Sequence, residues 1–398
     1  MQVPGYSARV PGRGAATGSQ TSLREANAAR ILRTVAQFGG ITQVELAGAT
    51  GLSPATVSTI VKQLLAAGSV ETRTTTRSGR RASLVTLARR TGLAVGLQVG
   101  LRSLRVVVAD VGYDVLAETV LPLPHEHRAD TTLDRAALLA GELLEEMGAS
   151  LEEVVGVGLA LPAPVDPRTD RIAARGVLRG WEDVEVADVL QRRLDKPVAV
   201  DNDANLGALG ELRFGAARGL RDVVYVRASY GVGAGIVLGG VLHRGHGGTA
   251  GEIGHTLVDP TGPICQCGSR GCLNTVVGAD ALIGTLRVSH GPLALRDLIR
   301  FADDGDPGCR QVLADAGATI GAVVSGVAMT ANPEMVVLGG ELAATGDLLA
   351  VGVRDALARR VMLASEDPVP VVVGELGVRA EVLGAVAHAL DQQGVMAP

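Results

Sequence analysis

Between Gly247 and Asn274 the chain reads GGTAGEIGHTLVDPTGPICQCGSRGCLN, and three of its four cysteines fall there as C-x-C-x4-C: Cys265, Cys267 and Cys272. His255 lies ten residues upstream of the first of them. Three thiolates and one imidazole make a closed tetrahedral set for zinc, with no position left for a catalytic water. Gly268 and Gly271 let the loop turn tightly enough for the sulfurs to converge. Two other readings stand beside this one. The cysteines are buried core thiols, or they pair in a disulfide, which an intracellular chain kept reduced does not favour. The expected zinc is structural, one ion per chain, pinning the loop and orienting the GEIGH segment before it.

G-E-I-G-H followed by C-x-C-G-x-x-G-C resembles the signature of the ROK family, which comprises sugar-dependent repressors and sugar kinases. The resemblance runs from about Leu93 to the C-terminus. It implies that His255, Cys265, Cys267 and Cys272 bind zinc, that Glu252 bonds sugar hydroxyls, and that His255 touches the sugar as well. The family commonly has a glutamate two residues after the last cysteine, where this chain has Asn274. An amide there still bonds a hydroxyl, but without the charge.

The net charge of −5 hides an asymmetry. Residues 23–90 hold ten lysines and arginines against Glu25, Glu45 and Glu71, a local +7. A basic module on an acidic body implies that only the first part meets a polyanion. Aromatic residues are 2% of the chain, so the cores must be built from Ala, Val, Leu and Ile. No apolar run is read as long enough to span a bilayer and no signal-peptide pattern opens the sequence, so the expectation is a cytoplasmic protein without a membrane partner. Residues 1–22, rich in Gly, Ser, Pro and Ala, read as a disordered tail.

From Leu23 the spacing turns helical. Ile31, Leu32, Val35 and Phe38 recur at helix intervals until Gly39-Gly40. Thr42-Gln43-Val44-Glu45 is a capping box for a short helix to about Ala49. Gly51 turns the chain, and Ser53-Pro54 opens a further helix to about Ala67. Two helices joined by a tight turn form a helix-turn-helix. Val70 to Thr76 and Ala82 to Leu87 alternate as the strands of a wing around Ser78-Gly79-Arg80-Arg81. Residues 23–88 are thus read as a winged helix-turn-helix. Its DNA contacts are expected from Ser53, Thr56, Ser58, Thr59 and Lys62 on the recognition helix and from Arg77, Arg80 and Arg81 at the wing turn. A winged helix that binds protein through a solvated basic face is the competing reading. ROK repressors carry a winged helix here, which favours double-stranded operator DNA.

Residues 93–398 are read as the ROK body in two lobes, so the fold class is α/β: a winged helix-turn-helix followed by an actin-like, sugar-kinase-like body. Residues 93–110 read as strand, turn, strand. ROK kinases have Asp-x-Gly-Gly-Thr at that turn, whose aspartate helps hold magnesium, where this chain has Gln98-Val99-Gly100-Leu101-Arg102. An amide has no charge for the metal and Leu101 crowds the backbone, so phosphoryl transfer is not expected. Arg102 pairs with a phosphate or faces solvent. The loop LPAPVD resembles the family's sugar-side loop, with Ala163 in place of glycine. Trp181 stacks on a sugar or fills the core.

Asp201-Asn202-Asp203-Ala204-Asn205 resembles the family motif in which the aspartate is the kinase base, here Asp203, and Asn202 is a second sugar contact. By spacing alone Asp203 is also a candidate helix cap. Tyr225 to Leu238 reads as a strand whose Gly231, Gly233 and Gly235 resemble the family's second phosphate loop or serve plain turns; Val336 to Gly340 resembles the family's adenosine-side turn or is simply a strand ending at a helix. Helices are read at Ala281 to Val324 and Leu348 to Met362, and His388 sits on a last helix.

The function expected from all this is a transcriptional regulator, a repressor, of carbohydrate metabolism. A sugar or sugar phosphate held by Asn202, Asp203, Glu252 and His255 tunes its DNA affinity, and it works as a homodimer or homotetramer. The alternative is an ATP-dependent sugar kinase with a DNA-binding extension.

Overall fold

Thr42 and Ser53 do what their spacing predicts. Thr42 N–H bonds to Glu45 Oε2 at 2.9 Å while Glu45 N–H bonds to Thr42 Oγ1 at 3.3 Å, a reciprocal cap. Ser53 Oγ accepts from Thr56 N–H at 3.1 Å. The computed structural model describes residues 20–38, 40–77, 80–87, 92–174, 176–360 and 368–394. Most of the tail read at 1–22 lies outside these, and Gln20 to Ser22 already belong to the first helix.

The N-terminal unit runs α1 (Gln20–Phe38), β1 (Ile41–Thr42), α2 (Gln43–Thr50), α3 (Pro54–Ala66), β2 (Val70–Arg77) and β3 (Arg80–Leu87). Gly51, at φ +67°, makes the turn between α2 and α3 in a conformation that favours glycine. Ile31, Val35, Leu46, Val57, Ile60, Val61, Val70 and Val85 pack as its core. Strand β1 pairs with β3, making a three-stranded sheet where the sequence suggests only a hairpin.

The first lobe contains β4 (Leu93–Val99), β5 (Ser103–Asp110), β6 (Val115–Pro122), α4 (Ala129–Glu146), β7 (Val154–Leu161), a short hairpin of β8 (Val165–Asp166) and β9 (Arg171–Ile172), α5 (Val186–Leu194) and β10 (Val198–Asn202). Its five-stranded sheet has the order β10-β7-β4-β5-β6, with β10, β7 and β4 parallel. Then come α6 (Asp203–Phe214), β11 (Val223–Ala228), β12 (Val232–Leu238), β13 (Val241–Leu242), α7 (Asn274–Val277), α8 (Ala279–His290), α9 (Leu295–Asp303), α10 (Pro307–Ala331), β14 (Met335–Gly339), α11 (Asp347–Arg360), β15 (Val371–Val373) and α12 (Ala380–Gln392). The second sheet has the order β13-β12-β11-β14-β15.

Helices α6 and α12 pack on each other between the two sheets, α12 against β4 and β7, α6 against β11 and β12. Their approach is close because side chains are missing at the crossing. A Cβ at Gly384 would lie 1.7 Å from Leu206 O, and one at Gly158 of β7 would lie 1.8 Å from Ala385 O, so α12 also lies close on the first sheet. Helix α1 touches α6, and the winged-helix core runs into the cluster that holds Leu206, Leu209 and Leu390.

Three expectations change. The stretch Tyr225 to Leu238 is an antiparallel hairpin, β11 and β12, because Ser229 to Gly231 reverse the chain. The helical reading of Ala281 to Val324 resolves into α8, α9 and the start of α10, broken at Gly291 and Gly305, both at positive φ. Helix α10, of 25 residues, is long and apolar enough to cross a membrane by length and composition alone. It packs along α11, and Leu313, Ile320 and Val324 on it are buried in the second lobe's core, where an apolar helix needs no lipid.

Candidate ligand cleft and metal centre

Strand β10 ends on Asp201-Asn202 and α6 begins at Asp203, so three polar side chains meet at one turn. The helix cap is Asn202. Its Oδ1 accepts from Ala204 N–H at 2.8 Å and Asn205 N–H at 3.2 Å, and its Nδ2 donates to Ala163 O at 3.2 Å. One amide hydrogen is left for a ligand. Asp203 does not cap. Its Oδ2 lies 3.3 Å from Arg227 Nε, and both residues are buried.

Arg227 comes from β11 and had no part in the sequence reading. Its Nε also reaches Glu381 Oε1 at 2.9 Å, and its Nη2 lies 3.8 Å from Glu341 Oε2. Burial opposes the guanidinium charge, but Asp203, Glu381 and Glu341 outweigh it and hold the Arg227 pKa above its usual value. Burial raises the Asp203 carboxyl against the pull of Arg227. Burial likewise lifts Glu381 to about 7. A signal for this network was legible: an arginine inside the apolar strand V-V-Y-V-R-A is seldom left unpaired.

Across the cleft, Glu252 is pushed up to about 7, first by burial and then by the charge on Asp203. His255 follows in a single 3-10 turn, Ile253–His255, with Nε2 3.9 Å from Glu252 Oε2. Its Nδ1 lies 3.5 Å from Cys265 Sγ. One imidazole therefore joins the cleft to the cysteines. The donor atoms of His255, Cys265, Cys267 and Cys272 all lie within 4.8 Å of one another, a set that could hold a metal ion. Burial and the neighbouring sulfurs push the Cys272 thiol up to about 12, since a thiolate is disfavoured when buried beside other sulfurs without a cation. Gly271, at φ +65°, is needed here, since a Cβ would lie 1.6 Å from Asp259 O.

The Gln98–Arg102 turn reaches the Arg227 network through Glu381. Gln98 Nε2 donates to Glu381 Oε2 at 3.4 Å. Arg102 lies 3.5 Å from Asp280 and 5.2 Å above the Tyr230 ring, so it is paired, while about a third of its side chain stays exposed. The space among Gln98, Gly100, Arg227, Ser229, Tyr230 and Glu341 is about 20 Å³.

Other expected contacts lie elsewhere. Asn274 turns its Oδ1 to Val232 N–H at 2.7 Å, so its amide holds β12. Trp181 is fully buried, with Nε1 bonded to His127 O at 3.3 Å. His388 is buried on α12, and burial lowers its pKa. A second group, His290, Asp306 and Cys309, also has metal-binding residue types. It is accounted for by capping, with Asp306 Oδ1 accepting from Cys309 N–H at 2.8 Å and Oδ2 3.1 Å from His290 Nε2.

On α3 the buried face is Val57, Ile60, Val61 and Leu64, leaving Thr59 and Lys62 exposed and Ser58 half-buried. Ser53 and Thr56 spend their hydroxyls on each other at 2.8 Å, within the cap. Arg77 and Arg80 are a paired position of the β2–β3 ladder, as are Thr76 and Arg81, so the backbone of these arginines is strand. Their side chains and the turn at Ser78-Gly79 lie outside the described residues.

A sequence profile of the ROK family matches residues 94–392. The chain belongs to the ROK family. A profile of the MarR family matches residues 25–82, over the winged helix. The xylose repressor of Bacillus subtilis (strain 168) is 26% identical over 374 residues, covering 94% of this chain and 97% of its own. A ROK family transcriptional regulator, a homologue of the E. coli MLC protein, shares the fold with a TM-score of 0.71 at 23% identity over 94% of this chain and 98% of its own. The ROK family glucokinase of Streptomyces griseus, solved with glucose and AMPPNP, superposes at TM-score 0.67 with 27% identity, over 75% of this chain and 99% of its own. ROK repressors and ROK kinases are thus both neighbours, and the MarR-type unit is what the whole-length matches add.

Proposed function

We propose that this ROK protein is a transcriptional regulator, a repressor of carbohydrate metabolism, whose winged helix binds a double-stranded DNA operator and whose cleft binds a sugar that lowers operator affinity. The division that goes with this is residues 23–88 for DNA and 93–398 for the effector, with 1–22 outside both. Ser53, Thr56, Ser58, Thr59, Lys62, Arg77, Arg80 and Arg81 are assigned to DNA. Thr59 and Lys62 are the best exposed of the set on α3. Asn202, Asp203, Glu252 and His255 are assigned to the sugar.

The observation that carries the regulator over the kinase is the Arg227 ion pair. A general base must be free to take a proton, and Asp203 is bound to a guanidinium 3.3 Å away. Gln98 supplies no carboxylate for a metal and is bonded to Glu381. Losing both functions leaves little turnover.

We assign zinc to His255, Cys265, Cys267 and Cys272. Four protein donors would close its coordination, so its contribution is structural. The segment that offers His255 also presents Glu252, so the metal would set the angle of a ligand-binding carboxylate.

Coupling is supported by the path of α6, which starts at Asp203 and touches α1. A ligand shifts an equilibrium only by its differential affinity for the two states. A sugar drawing Asp203 and Glu252 together would favour a closed cleft and move α6 against α1. A homodimer or homotetramer goes with this reading, because helix-turn-helix proteins commonly engage paired half-sites as symmetric oligomers. Such a regulator would work in the cytoplasm.

The test is a mobility shift with operator DNA against a sugar panel, alongside a phosphorylation assay on the same preparation. A coupling of roughly 1–3 kcal/mol is expected, lost in Asp203→Asn and Glu252→Gln while sugar-free DNA binding stays near normal. Sugar-dependent ATP turnover at ordinary enzyme rates would overturn the regulator reading. DNA binding indifferent to every sugar would overturn the effector reading.

A further inference from the structure

We propose that a separate pocket, at the outer edge of the first lobe's sheet, binds a small organic ammonium compound. Asn202, Asp203, Glu252 and His255 have no part in its wall, so it is a different site from the cleft.

The pocket lies where β10, the end of α12 and the β8–β9 turn meet, and its volume is about 250 Å³. Drug-sized sites run to roughly 300–1,000 Å³, so this one suits a compact molecule. His388 of α12 forms part of the wall. Its side chain is buried, with the residue only 8% exposed, yet the imidazole has no hydrogen-bond partner among the described residues. Buried polar side chains are nearly always bonded, so a ring left open onto a pocket is a group with a bond to offer. Asp170 from the β8–β9 turn, with Gln392 and Gln393 at the end of α12, completes the polar wall. Their side chains are likewise without a protein partner among the described residues.

The main chain adds to this. Strand β10 is the edge of its sheet, and Val157 N–H bonds to Pro197 O at 2.9 Å. Alternation therefore turns the N–H and C=O of Val198 and Val200 to the unpaired side, where both residues line the pocket.

The charge of the wall selects a cation. No lysine or arginine lines it among the described residues. Its acceptors are the Asp170 carboxylate, the Val198 and Val200 carbonyls, two amide oxygens and the imidazole. Burial first, and then the charges on Asp201, Asp166 and Asp188, hold the Asp170 pKa above its usual value. Negative potential thus persists there although Arg244 pairs with Asp201 and Arg168 with Asp166. Burial lowers the His388 pKa, which leaves a neutral ring with one nitrogen as acceptor. An ammonium group would bring N–H donors to these acceptors and relieve the repulsion on Asp170, whereas a phosphate or carboxylate would bring like charge. Both walls also reach the cleft, since β10 ends on Asn202 and α12 carries Glu381 in its first turn.

The experiment is a ligand-observed NMR titration of the full-length protein with ethanolamine, putrescine and choline, and with glycerol and inorganic phosphate as neutral and anionic comparisons. At least one amine is expected to bind, with glycerol and phosphate weaker by about tenfold or more. Asp170→Asn removes the charge and keeps a residue that tolerates the left-handed backbone at φ +53°. Gln392→Lys sets a cation on an exposed part of the wall. Each variant, checked for folding by its Tm, is expected to weaken the amine by about tenfold or more. Failure of all three amines to bind, phosphate binding as tightly as an amine, or an amine affinity unmoved in either folded variant would overturn the proposal.

Discussion

Arg227 and Asp203 form a buried ion pair, Nε to Oδ2 at 3.3 Å. Removing the guanidinium leaves Asp203, Glu381 and Glu341 without their common counter-charge. Truncation of one partner in such a network typically costs about 3–5 kcal/mol. Arg227→Ala should therefore lower Tm by several degrees in differential scanning calorimetry, and more at pH 8 than at pH 5, where the orphaned carboxylates can protonate. An unchanged Tm would show the network to be energetically idle.

Glu252 and Glu381, each raised to about 7, also set a pH dependence. In this window the folded state binds more protons than the unfolded chain, whose carboxyls titrate near pH 4.5. Their contribution to stability is full below that value and declines as pH rises through about 7. Glu252→Gln removes one such group. The difference in Tm between pH 5 and pH 8 should be smaller in the variant than in the parent protein, and an identical difference would refute the raised pKa.

Elemental analysis of protein purified without chelators should find one zinc per chain. Cys267→Ser should reduce it, and chelation should weaken the sugar response, because Glu252 lies three residues from His255. Full zinc in Cys267→Ser would sink the assignment.

On α3, Lys62→Ala should weaken binding to every DNA sequence and reduce the salt slope by about 1. Changes at Ser58 and Thr59, by contrast, should alter preference between sequences. Arg80→Ala with Arg81→Ala should act as Lys62 does. A body beginning at residue 93 that bound the operator as well as the full chain would overturn the placement of the DNA site.

The local signals were the most legible. The Thr42 capping box and the Ser53-Pro54 start are governed by neighbours in sequence, and each is found where spacing puts it. The cysteine set was legible because its chemistry demands convergence. What spacing could not give was direction. Asn202, and not Asp203, caps α6, since that depends on which side chain turns back on the helix and which reaches Arg227 on a strand twenty-four residues on. Glu341 and Glu381 were hidden for the same reason, as they reach one guanidinium from separate elements far along the chain. Asn274 likewise spends its amide on Val232, a contact that only the folded hairpin creates.

Helix α6 carries Asp203 in its first turn, and Leu209 further along it lies in the apolar cluster that continues into the winged helix. One residue inserted between them would rotate Leu209 by about 100° relative to Asp203. The spacing of this single helix thus acts as a gear between two surfaces that share no residue. Side chains in its first turn can be exchanged while the side that packs against the winged helix stays untouched. Insertions and deletions within it cannot be absorbed, so among relatives with new effectors change is expected by substitution here, at constant length.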